Sequence, residues 1–144
     1  MAENLPMPKQ SAARPKLTRR EQRDLDVEIG FFEGLVRRDP KYVEALQILG
    51  DSYTRRGKFV DGLKVDEHLR KLRPDDPLVL YNLACSYALT RRYEQAISAL
   101  LRAIECGYRD FRWIAKDPDL KGLRKHKLFQ KVEARISSSK IKVQ

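Results

Sequence analysis

Apolar residues recur along this chain at intervals of three and four, the spacing that gathers them on one face of an α-helix. Leu25, Ile29, Phe32 and Val36 form a first stripe, and Leu46, Leu49 and Tyr53 a second. Phe59, Leu63 and Leu69 make a third; Tyr93, Ile97, Leu100 and Ile104 another, and Leu128, Phe129, Val132 and Ile136 a last one. The ends of these runs carry helix punctuation. Thr18-Arg19-Arg20-Glu21 has the form of a capping box, and Pro74 ends a helix because proline cannot continue one. Asp76-Pro77 and Asp117-Pro118 each pair an N-cap with proline at the first helical position, and Gly107 suits a helix C′ site. The pattern predicts helices throughout, with a short helical turn at Pro118 and a last helix from about 126 to 136. Residues 1–17 have no period and read as a disordered basic arm, and the tail 138–144 is expected to fray.

The middle of the chain repeats itself. Pro74 stands 34 residues after Pro40, and Tyr108 stands 34 after Pro74. In this register Leu46 falls on Leu80, Leu49 on Leu83, Gly50 on Ala84 and Tyr53 on Tyr87. Phe59 then falls on Tyr93, Gly62 on Ala96 and Leu69 on Ala103. Large residues supply one stripe per helix, and the small ones at 50 and 84 let two helix backbones approach where a leucine would overpack. A 34-residue period with this alternation resembles the tetratricopeptide repeat (TPR). Two departures stand out: Asp66 sits where the family prefers a bulky apolar side chain, and Arg91 replaces the inter-helix glycine present at Gly57. The first full unit is therefore expected to pack less tightly than the second.

The resemblance implies an all-α fold, a short TPR-type helical solenoid of antiparallel helix pairs. Residues 18–39 would be an N-terminal half-repeat acting as a capping helix, with units at 40–73 and 74–107. The passage from Gly107 through Asp117-Pro118-Asp119-Leu120 to Phe129 resembles a segment that closes TPR arrays, so 108–137 is expected to be a C-terminal cap.

Charge changes the picture only at the ends. The 144 residues carry a formal net charge of +10. Five Lys/Arg face one acid in residues 1–20 and eight face one in 121–144, whereas the span between them is close to neutral. Basicity thus belongs to the termini rather than to the repeat core. No apolar run approaches the length of a membrane span, and the N-terminus has no apolar signal region, which points to a cytoplasmic protein. Cys85 and Cys106 lie inside helical patterns without ligand spacing and read as reduced thiols.

No constellation for catalysis emerges. His68 and His126 fall on different elements with no partners at metal-binding or nucleophile-activating spacing. Gly30 and Gly34 sit in a helical pattern rather than in a phosphate-binding loop. The reading is a non-enzymatic protein without cofactor or metal, whose work is recognition. In TPR proteins the first helices of successive units line a concave groove that receives a peptide. Carried over by register, the groove positions are Glu44, Gln47, Ile48, Asp51 and Arg55 in the first unit. The second unit contributes Leu78, Tyr81, Asn82, Cys85 and Leu89, and the cap Arg112 and Lys116. Tyr81 is singled out as an anchor, because an amphipathic aromatic on a groove wall can dominate binding. A carboxylate-gripping variant of the groove is matched by Asn82, Arg112 and Lys116 but opposed by Gln47 and Asp51, where the family uses Lys and Asn.

Two other classes compete with groove recognition of a protein partner. One is attachment to nucleic acid or another anionic surface through Arg14, Lys16, Arg19 and Arg20 at one end and Lys121, Arg124, Lys125, Lys127 and Lys131 at the other. The other is a small dedicated chaperone for a secreted or assembling partner. Oligomeric state and partner identity are not encoded in the repeat pattern.

Overall fold

A computed structural model describes residues 16–143, with side chains to residue 140. The arm expected at 1–17 lies largely outside the described residues, as does Arg14. The described chain is all-helical, and adjacent helices pair into a short TPR-type solenoid. In order these are α1 (Arg19–Arg38), α2 (Val43–Arg56), α3 (Phe59–Leu72), α4 (Pro77–Leu89), α5 (Tyr93–Glu105) and α6 (Phe111–Lys116). A 3-10 turn (Pro118–Leu120), α7 (Lys121–Arg124) and α8 (Phe129–Val143) complete the chain.

Local chemistry sets most of the boundaries. The amide of Glu21 donates to Thr18 Oγ at 3.1 Å and the amide of Thr18 to Glu21 Oε1 at 2.8 Å, closing the capping box that starts α1. Asp76 Oδ1 accepts from the amides of Leu78 and Val79, so α4 begins at Pro77. The two helix pairs turn alike. Lys58 N donates to Tyr53 O, and one period later Arg92 N donates to Tyr87 O, both at 2.8 Å. That turn needs a left-handed residue, and Gly57 supplies it at φ 88°. Arg91 takes the same position at φ 62°, the one non-glycine residue with positive φ among those described. The turn geometry survives loss of its glycine, at the cost of Cβ strain.

The apolar core is unequal. Its larger part gathers α4, α5 and the cap around Leu83, Leu100, Ile104, Leu120, Leu123 and Val132. A smaller cluster of Leu46, Leu69 and Val79 belongs to α2, α3 and the start of α4. Asp66, which replaces an apolar residue in this first unit, is nonetheless buried, and accepts a hydrogen bond from Ser86 Oγ at 2.5 Å. A buried carboxylate is tolerable only with such partners. Gly50 makes room for it: a Cβ there would lie 3.2 Å from Asp66 Oδ1.

The last helix differs from its expected span. It begins at Phe129 instead of near His126, because His126 Nδ1 accepts from the amide of Leu128 and holds 126–128 as a turn. It also runs to Val143, through the tail expected to fray. The segment after Ile136 has no proline or glycine to stop a helix, and Lys140 suits its C-terminal end.

Candidate functional site

Each groove position of the first unit has an equivalent 34 residues later, and the two sets meet different fates. On α2, Glu44, Ile48 and Arg55 are exposed, while Gln47 and Asp51 are partly so. Ile48 retains 41% of its surface, an apolar side chain surrounded by polar ones. Arg55 and Asp51 sit one turn apart and pair at 3.8 Å, an exposed ion pair worth little to stability. On α4, Leu78, Asn82 and Leu89 are partly covered, but Tyr81 and Cys85 are 3% and 0% exposed.

The expected anchor is thus no anchor. Tyr81 is sealed by the C-terminal cap, which folds back across α4. Its ring stacks on Tyr108 with centroids 4.2 Å apart and planes within 2°. Its hydroxyl donates to Asp117 Oδ2 at 2.5 Å. Cys85 is closed by the same residue, its thiol 3.7 Å from Asp117 Oδ2. Neither side chain reaches a ligand in this fold, so both leave the groove set.

Asp117 is the hub of this closure, fully buried at the step between α6 and the 3-10 turn. Its second oxygen accepts from the amide of Asp119 at 2.9 Å, the N-cap contact that starts the turn. Burial pushes its carboxyl above the usual carboxylate range, against the pull of these hydrogen bonds. Burial likewise raises the hydroxyl of Tyr81 far above the tyrosine range, so it stays a donor at every working pH. Arg124 completes the lock by donating to the carbonyls of Ile114 and Asp117 at 2.9 and 2.8 Å. It is a cap residue rather than a free basic arm.

The other described basic candidates are exposed. Lys16 precedes α1, and Arg19 and Arg20 open it. Lys121 lies on α7, Lys131 on α8, and Lys125 and Lys127 in the turn between them, so at this end the charge is spread over two helices and their connection. Arg112 and Lys116 project from α6. Beside them an open cleft of about 750 Å³ separates α6 from α8, floored by Phe111, Ile114, Phe129 and Ile136. The sequence pattern did not expose this cleft, because both walls read simply as cap.

The two histidines are engaged locally. His68 Nε2 lies 2.6 Å from the carbonyl of Pro40, and His126 caps the turn before α8. Among the described residues, no group of three or more His, Cys, Asp or Glu is placed to hold a metal ion. No described helix is long and apolar enough to cross a membrane.

A scan against models of known protein families matched none. Among curated proteins, the chain is similar to a chloroplastic protein of Arabidopsis thaliana, 35% identical over 83 residues, which cover 56% of this chain and 25% of that protein. It is also similar to the peroxisomal targeting signal receptor of Komagataella phaffii, 37% identical over 93 residues, covering 63% of this chain and 16% of the receptor. Superkiller protein 3 of Schizosaccharomyces pombe is 36% identical over 69 residues, 48% of this chain and 5% of that protein. The receptor and Superkiller protein 3 carry tetratricopeptide repeats. The chain spans a quarter or less of the length of each of these relatives.

Proposed function

We propose that this chain is a protein-interaction module, an adaptor, scaffold or co-chaperone, that receives a peptide or protein segment along the face of α2 and the uncovered part of α4. The observation that carries the reading is where the cap stops. It covers Tyr81 and Cys85, yet leaves Leu78, Asn82 and Leu89 only partly covered and the equivalent face of α2 open. Ile48 then supplies exposed apolar surface, with Glu44, Gln47, Asp51 and Arg55 as polar neighbours that fix orientation. Similarity to a targeting signal receptor agrees with recognition of a protein segment. Asp51 disfavours a bare carboxylate as ligand by like-charge repulsion. With Arg55 beside it, the face suits a segment of mixed charge.

Site-specific photocrosslinking tests this. A photoreactive side chain replaces Ile48 or Asn82 on the proposed face, or Val60, which is 56% exposed on α3. Crosslinking in native lysate, after nuclease treatment, should yield the same discrete protein from positions 48 and 82 and none from position 60. Equal products from all three positions, or none from 48 and 82, would refute the assignment. Products that vanish with nuclease would favour the basic ends as the binding element.

A further inference from the structure

The outer face of α1 is a second surface, separate from the proposed groove. Leu25 and Ile29 bury themselves on the inner side of α1. Val27 and Phe31, one turn apart, point the other way with 74% and 60% of their surface exposed. Gly30 and Gly34 share their side, and a Cβ built on either would meet nothing within 4 Å. The backbone of α1 is therefore accessible there, openly at Gly30 and partly at Gly34, whose carbonyl accepts from Arg38 Nε at 3.4 Å, in a solenoid where the neighbour of such a helix is another helix.

The distribution of charge on α1 says what kind. Four of its five acids are engaged elsewhere: Asp26 pairs with Arg56 at 2.9 Å, Glu28 with Ser52, Glu33 with Tyr53, and Glu21 closes the capping box, while Asp24 is exposed. Counting at 100° per residue, Arg20, Arg23 and Arg38 fall on the same arc as Val27, Phe31 and the two glycines, with Asp24 at its edge. The result is an apolar centre with cations at both ends.

We propose that this face docks an acidic amphipathic helix of a partner protein, which packs apolar side chains against Val27 and Phe31. Its backbone approaches over Gly30 and Gly34, and its carboxylates meet Arg20, Arg23 and Arg38. Charge argues against the other occupants. A second copy would bring the same arginines against these. Residues 1–15 of this chain carry Lys9 and Arg14 against Glu3, a positive balance that offers these arginines no counter-charge. Val27 and Phe31 are the two exposed large apolar side chains of α1, which is little surface to sink into a lipid layer.

Fluorescence anisotropy with two synthetic probes tests the proposal. One is a helical peptide of about 18 residues with Leu and Ala on one face and Glu on the other; its counterpart has Lys in place of Glu. The acidic peptide should bind the full chain in a salt-sensitive manner, and the lysine peptide should not. Val27→Ser with Phe31→Ser should weaken binding by roughly tenfold or more. Gly30→Leu should do the same while leaving helicity unchanged, since its side chain enters open space. Ile48→Ala with Asn82→Ala should leave this binding intact, which separates the two surfaces and their failures. Equal affinity for the face variants, or no binding of the acidic peptide at low salt, overturns the proposal. So does preferential binding to phosphatidylserine vesicles, or dimerisation in sedimentation that Phe31→Ser abolishes.

Discussion

Replacing Tyr81 by phenylalanine isolates one atom of the cap. The ring keeps its stack on Tyr108 and its buried surface, so only the hydroxyl bonded to Asp117 is lost. A hydrogen bond to a carboxylate in a dry site is worth about 1.5–3 kcal/mol, because the acceptor is left underpaired and cannot turn to water. For a chain of this length that corresponds to a fall in Tm of roughly 5–9 °C. Urea unfolding should be followed by far-ultraviolet circular dichroism and by emission of Trp113, which sits on α6 within the cap. Tyr42→Phe, at an exposed tyrosine, serves as the control and should change stability by less than about 0.5 kcal/mol. Pairing Tyr81→Phe with Asp117→Asn in a double-mutant cycle should reveal a coupling of about 1 kcal/mol or more. Should Tyr81→Phe fall within the range of the Tyr42 control, the idea that this bond holds the cap on α4 is wrong.

Three further outcomes follow from the same structure. Gly50→Leu should cost about 1–3 kcal/mol in chemical denaturation, since even its Cβ would press on Asp66 Oδ1 at 3.2 Å and Val65 Cγ1 at 3.4 Å; an unmoved midpoint would contradict the packing of α2 on α3. Arg91→Gly should be neutral or stabilise by up to about 1 kcal/mol, relief of left-handed strain outweighing the added freedom of the unfolded chain. A clear loss on thermal melting would show that the Arg91 side chain matters more than its backbone. Burial raises Asp117 above its unfolded value, so the folded state takes up its proton more readily. Its contribution is fully present below the ordinary carboxylate pKa and is lost as pH rises through the raised one. Stability of the native chain relative to the Asp117→Asn variant should therefore improve as pH falls from 7 to about 4. A difference independent of pH would contradict the raised pKa.

Features that depend on near neighbours were legible without the fold. The stripes at helical spacing before the last one, the capping box at Thr18, the Asp-Pro starts at 76 and 117 and the 34-residue register all act within a few residues or repeat strictly, and each has its counterpart in the fold, whereas the last stripe loses Leu128 to the turn before α8. Arg91 shows how strong that register is, since the turn forms even without glycine. α8 runs on past Ile136 because a polar, basic composition says nothing against a helix when no residue breaks it.

The site was only half legible. Register put Gln47 and Tyr81 on equivalent positions, but one is partly open and the other sealed, since Asp117 returns to α4 across 36 residues of chain. Nothing in the spacing of Tyr81 and Cys85 distinguishes a groove wall from a surface beneath a cap; only the path of the following segment does. The same holds for Val27 and Phe31. An apolar residue off the main stripe is exposed or buried according to which neighbour the tertiary structure supplies, and α1 has one on its inner face only.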